Sequence, residues 1–275
     1  MKLVNLIIGQ KRNLMNNLKS ISNCQSNKFK NINFFIFWED DSLNNQERKV
    51  IIEKYENTYF KSIKKNKFEN KIKKILKNKK NYTKNIKNSI IGNYLQYSLV
   101  QYAFIYASKK LKNENYENFF WQRIRSDTYV KDKIIDNPQK KMLYLPGTSH
   151  GYGIIDFHAI GTYEEIKIYS NMIETLNSLY KTNIFVPPEI ALRMHLNKFK
   201  IRCILTNKMP TALLKNSSKK RIKIGYNLSG NKHLTNEFSN NILEENFAFK
   251  NNFILRKIYY FCYNLFIKAK LILNI

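Results

Sequence analysis

Apolar residues along this chain gather into short dense runs, separated by stretches in which they recur at helical spacing. LVNLII, residues 3–8, is stopped by Gly9; so apolar a run predicts a strand covered on both faces. Leu14, Leu18 and Ile21 then mark one face of a helix over residues 13–22. NINFFIFW, residues 31–38, is a second apolar run, closed by Glu39, Asp40 and Asp41. Strand, helix and strand in such close succession predict a βαβ unit, and so a parallel sheet with a right-handed crossover.

Residues 61–88 are rich in Lys and Asn, and Phe68, Ile72, Ile75 and Leu76 suit either a short basic amphipathic helix or a solvated linker. Residues 93–111 predict a long buried helix, followed by a strand, NFFWQRIRSDTYV, with a charged end. MLYLP predicts a strand, EEIKIYSNMIETLNSLY a helix, PPEIALRMHLNKF another helix, and IRCIL a closing strand. No internal repeat appears. The alternation defines an α/β chain: a Rossmann-type, mostly parallel sheet flanked by helices. Residues 1–205 form that domain, 206–249 a polar connecting region, and 250–275 a basic amphipathic helical tail. In the tail, Lys250, Lys257, Asn264 and Lys268 line one stripe of an otherwise apolar helix. Such a helix is expected to associate with the interface of an anionic membrane; a cap on the domain's own core is the alternative.

Composition changes this picture only at the margins. An apolar content of 43% with 14% aromatics excludes a disordered chain. The net charge of +28 attracts polyanions, although Lys and Asn usage of this kind also follows from an AT-rich genome. Cys24, Cys203 and Cys262 are scattered, and neither they nor His150, His158, His195 and His233 have metal-ligand spacing. Reduced cytosolic thiols are expected. The N-terminal apolar stretch is too short for a signal-peptide core, and no apolar run is long enough to span a bilayer.

Chemistry concentrates in WQRIRSDTYV. Arg123, Arg125, Ser126 and Asp127 fall at the carboxyl end of a strand, where open α/β sheets bind ligands. Guanidiniums there suit phosphate oxygens, and a carboxylate suits a divalent cation or a sugar hydroxyl. An Arg–Asp ion pair is the bland alternative. GYGIIDFHAIGTYEEI presents Asp156 and His158 in what reads as a flexible polar loop, and Glu189 opens a helix after two prolines, where a carboxylate serves as a cap.

The order LVNLIIGQKR, FFIFWEDD, NYLQYSLVQYAFIYA and RIRSD resembles the bacterial WavE-like lipopolysaccharide-synthesis glycosyltransferases, across most of the proposed first domain. Trp38-Glu39-Asp40, Asn93 with Gln96, and Arg123-Ile124-Arg125-Ser126-Asp127 take the places of that family's motifs. Leu95 stands where the family has Arg, Phe37 where it has Thr, and Asp127 alone where many related enzymes have Asp-x-Asp. The resemblance implies a GT-A fold and a nucleotide-sugar donor. It places Gln10 and Arg12 near the nucleotide, Asp40 or Asp41 at the base or ribose, and Arg123, Arg125 and Asp127 at the sugar and diphosphate. Asp127 would hold any divalent cation, Mn2+ or Mg2+, with the donor supplying the remaining oxygens. Glu189 or Asp156 would take the acceptor's proton. The implied acceptor is a lipid-linked or lipopolysaccharide glycan, and the implied location is the cytoplasm, peripheral on the inner face of the inner membrane. A nucleic-acid-binding basic protein and a membrane-surface scaffold are the competing classes. No nucleic-acid partner is expected, because the aromatics lie in apolar runs and no recognition motif appears.

Overall fold

The computed structural model describes residues 1–11, 14–79, 82–130, 138–146, 156–181, 186–206, 212–214 and 222–224. The predicted βαβ unit is β1 (Lys2–Gly9), α1 (Leu14–Ser22) and β2 (Lys30–Trp38), with β1 and β2 paired in parallel from Lys2↔Lys30 to Gly9↔Phe37. α2 (Asn45–Lys54) follows, started by a capping box between Asn44 and Glu47, and leads to β3 (Thr58–Ile63).

The basic stretch is helical. α3 (Asn66–Lys77) buries Ile72 and Leu76 and packs Phe68 and Ile75 partly against the same core. α4 (Lys84–Lys110) starts nine residues before the predicted position, because the Thr83 side chain accepts a hydrogen bond from the Ile86 amide. Next come β4 (Phe120–Arg125), the short β5 (Thr128–Tyr129), β6 (Leu143–Pro146), β7 (His158–Thr162), α5 (Tyr163–Ser170), α6 (Met172–Lys181), α7 (Pro188–Lys198) and β8 (Cys203–Thr206).

Three expectations are corrected. The strand expected through residue 130 ends at Arg125, and the chain turns at Ser126 and Asp127. The single helix expected over 164–180 breaks at Asn171, whose amide closes α5 on Lys167 and Ile168 before α6 starts. The flexible loop expected around Asp156 and His158 is interior: both residues are buried, and His158 opens strand β7. Alternation was hard to read there because β7 is covered on both sides and carries Gly161 in its middle.

The seven-stranded sheet runs β3-β2-β1-β4-β7-β6-β8, and among these strands β7 alone is antiparallel to its neighbours. Side chains alternate between two cores. Val4, Leu6, Ile8, Phe34, Ile36 and Trp121 face the thick layer of α3 to α7. Ile7, Phe35, Phe37 and Ile124 face the thinner layer of α1 and α2. A second sheet joins β5 to β9 (Ala212–Leu214) and β10 (Ile222–Ile224), so part of the predicted connecting region pairs with the chain just beyond Asp127. The predicted helical tail, residues 250–275, lies outside the described residues.

Candidate active site

From β1 the chain builds outward through β2 to β3, then crosses over α3 and α4 to place β4 on the other side of β1. The carboxyl ends of β1 and β4 therefore flank the point where strand order reverses, the usual ligand crevice of an open α/β sheet. The two ends are tied together. The Ser126 amide donates to the Ile8 carbonyl at 3.0 Å and its hydroxyl to the Gln10 carbonyl at 2.7 Å. Buried Asn17 of α1 reaches across to donate to the carbonyls of Ser126 (2.9 Å) and Thr128 (2.8 Å). Gly9 sits at φ +141°, where a Cβ would lie 2.8 Å from Ser126 Oγ. Only glycine suits that close approach.

A cavity of about 180 Å3 opens at this point. Its walls include Gly9 and Gln10 from β1, Trp38 from β2, Lys65, Gln96 from α4, and Arg123 and Arg125 from β4. Small-molecule sites typically enclose roughly 300–1,000 Å3, so the cavity is smaller than a complete site of that kind.

Three ion pairs surround it. Arg125 donates through Nε to Asp127 Oδ1 at 2.6 Å and through Nη2 to Oδ2 at 3.3 Å, and its guanidinium lies 4.9 Å from the Phe157 ring centre. Arg123 is fully buried, 3.6 Å from Asp156 Oδ2, and donates to the Tyr169 hydroxyl at 2.8 Å. Lys65 pairs with Asp40, which raises the lysine's pKa. The three cations line the cavity, and none of the three carboxylates does. Each acid holds its cation in place from behind or from the side, leaving a rim whose charge faces inward as positive.

Asp156 is committed to this framework. Tyr97 donates to its Oδ2 at 2.7 Å, Gln96 donates to the same oxygen, and Tyr169 donates to its backbone carbonyl at 2.9 Å. Burial, and then the Asp156 charge, raises the Tyr97 pKa far above the phenol's ordinary range, so Tyr97 stays a donor. Among the described residues Arg123 Nε has no hydrogen-bond partner, and it is shielded from solvent although other parts of its residue line the cavity.

Glu189 stands in the first turn of α7, half-buried, and Pro187 rather than its side chain occupies the cap position. Burial, and then repulsion by Asp156, raises its pKa to about 7, while a backbone hydrogen bond and attraction by Arg125 act the other way. Glu189 is not among the residues that line the cavity; it is linked to the cluster through the charges of Asp156 and Arg125. It alternates between carboxylate and acid near neutral pH, as a proton acceptor needs. His158 is held neutral instead: burial, and then the Arg123 charge, lowers its pKa to about 3. His195 bonds Ile168 O and Thr175 Oγ1 and so pins α7 to the helices beside it.

The sequence-predicted residues thus divide. Gln10, Arg123 and Arg125 meet at one cavity, and Asp127 lies behind Arg125 with no surface exposed. Asp40 pairs with Lys65, and Asp41 accepts the Lys11 amide at 2.6 Å, tying the tip of β2 to the tip of β1. Arg12 and His233 lie outside the described residues. Among the described residues no group of three or more His, Cys, Asp and Glu side chains converges on a metal position, and both Asp127 oxygens face Arg125. Lys65 escaped the sequence reading because nothing distinguishes it from the other lysines of its run. Tyr97 and Tyr169 read only as core positions.

What fold and site define is an open α/β protein with a cation-lined crevice at its topological switch point, suited to a small anionic ligand. Among solved structures, mouse xyloside xylosyltransferase 1 in its apo form is similar with a TM-score of 0.39 at 10% identity, over 74% of this chain and 84% of that one. At that level the similarity adds nothing to what the strand order already establishes. No family model matches the sequence, and no curated protein matches it. The resemblance to the WavE-like proteins therefore has no support from these comparisons.

Proposed function

We propose that this protein is a glycosyltransferase that takes a sugar from a nucleoside-diphosphate donor, with Glu189 as the proton acceptor. The observation that carries the proposal is the crevice rim, where Arg123, Arg125 and Lys65 face the cavity while their carboxylates do not. In the reaction, the acceptor hydroxyl oxygen attacks the sugar's anomeric carbon. The bond from that carbon to the diphosphate oxygen breaks, its electron pair leaves with the diphosphate, and the hydroxyl proton passes to Glu189. Fixed cations stabilise the charge that accumulates on the departing phosphate. Asp127 and Asp156 act as positioning residues: each fixes an arginine, and neither is routed to the reacting atoms. Trp38 and Gln10 supply a flat apolar wall and a polar edge for the nucleoside.

On the resemblance of the first domain, the acceptor is a bacterial surface glycan (lipopolysaccharide, lipooligosaccharide or capsule) and the transferred unit a hexose, with the enzyme peripheral at the cytoplasmic face of the inner membrane. Among the described residues no helix is long and apolar enough to cross a membrane. Thermal-shift measurements with UDP, GDP, CDP and single-stranded DNA test the reading. Selective stabilisation by one diphosphate, weaker with the matching monophosphate, is the expected result. Stabilisation by DNA alone, abolished by salt, would overturn it.

A further inference from the structure

Apart from Lys65, a second basic feature of the surface plays no part in the chemistry above. Residues 61–87 contain twelve lysines and a single acid, Glu69, so this short segment holds a net +11 of the chain's +28. Lys73 already pairs with Glu69 at 3.1 Å. Its described residues include the end of β3, α3 and the start of α4, and where the two helices meet a shallow groove of about 470 Å3 lies on the outside of the molecule. Leu76 and Ile91 form its floor, and Lys73, Lys74, Lys77 and Lys87 ring it.

We infer that this shoulder is a docking surface for an anionic phospholipid bilayer. Lysine ammonium groups on long apolar stems match a lipid interface, since the stems lie along the apolar floor while the charges reach headgroup phosphates. Single-stranded nucleic acid fits less well. Residues 61–87 hold no arginine to form bidentate phosphate contacts, and the described aromatics, Phe68 and Tyr82, are half-buried, with Phe68 packed 5.5 Å from Trp38, rather than exposed for base stacking. The shoulder also adjoins the crevice. Ile91 lines the groove and its neighbour Gly92 lines the active-site cavity, while Lys65, one residue before α3, lines that cavity too. Docking here sets the crevice beside the bilayer surface, within reach of an acceptor embedded in it. The inference does not depend on the transfer reaction.

Sedimentation of the full chain with phosphatidylcholine vesicles, with and without phosphatidylglycerol, is the test. Two shoulder variants are compared, Lys73→Gln/Lys74→Gln/Lys77→Gln on one wall and Lys84→Gln/Lys87→Gln on the other. Lys19→Gln/Lys49→Gln/Lys54→Gln, three exposed positions on the α1–α2 side, controls for net charge. Wild type should bind only the anionic vesicles. The triple shoulder variant should lose roughly tenfold to a hundredfold in partitioning, the double variant less, and the control less than the double variant. Diphosphate-induced thermal shifts should be unchanged in all of them, which separates this test from that of the transferase reading. Equal losses in shoulder and control variants, retention of binding by the triple variant, or a larger loss of single-stranded DNA binding than of vesicle binding would each overturn the inference.

Discussion

The inner and outer ends of the crevice are built from the same chemistry under opposite conditions. At the inner end Arg123 and Asp156 are buried among Gln96, Tyr97 and Tyr169, and each depends on the others for its hydrogen bonds. At the outer end Lys65 and Asp40 meet in water, with about half of the Asp40 side chain exposed. A buried pair costs much desolvation and so demands a complete network, whereas an exposed pair contributes little and exchanges partners freely. The inner end is therefore a fixed part of the fold, and the outer end is an adjustable rim. Between them Arg125, clamped by Asp127 and stacked on Phe157, is rigid but reachable.

Four substitutions sharpen or break this contrast. Glu189→Gln carries the largest expected effect, a fall of roughly 10²–10⁴ in transfer rate, with donor binding retained. The wild-type rate should rise with pH through about 7 as Glu189 ionises, and that limb should vanish in the variant. Stability carries the opposite sign. The folded carboxyl has a pKa above its ordinary 4.5, so the native state holds a proton that the unfolded chain releases. Wild-type stability should fall as pH climbs from 4.5 past about 7, and Glu189→Gln should flatten that slope.

At the inner end, Asp156→Ala leaves Arg123 buried and unpaired, and should cost about 3–5 kcal/mol by denaturant unfolding. Gly9→Ala should cost about 1–3 kcal/mol through its backbone conformation, and should weaken diphosphate binding by prying Ser126 from the β1 tip. The outer end should respond least. Lys65→Met should change stability by under about 1 kcal/mol, yet weaken diphosphate binding by roughly tenfold in isothermal titration. If Lys65→Met instead unfolded the protein, or Asp156→Ala were neutral, the division between fixed floor and adjustable rim would be wrong.

Much of this was legible in the sequence, for identifiable reasons. The βαβ start, the α4 face and the chemistry at RIRSD were readable because apolar runs end sharply at Gly9, at Trp38 and at Arg125, and strand ends in an α/β sheet are where ligands bind. Arg125 and Asp127 could be named as neighbours, but whether the acid or the base would face the cavity depended on the turn at Ser126, which is decided by a hydrogen bond from Asn17 and by the Ser126 hydroxyl donating to the Gln10 carbonyl. Asp156 looked like a loop residue because its stretch contains glycines and no helical period. Its burial depends on partners 59 and 60 positions away in the chain, Tyr97 and Gln96. Lys65 became visible only once β2 and α3 were placed around Trp38.

The most direct test of the central claim is a crystal structure of the protein with the nucleoside diphosphate that stabilises it most. The phosphates should lie within hydrogen-bond distance of Arg125 and Lys65, with Lys65 drawn away from Asp40. A nucleotide bound on any other surface, with Lys65 still paired to Asp40 as it is here, would contradict it.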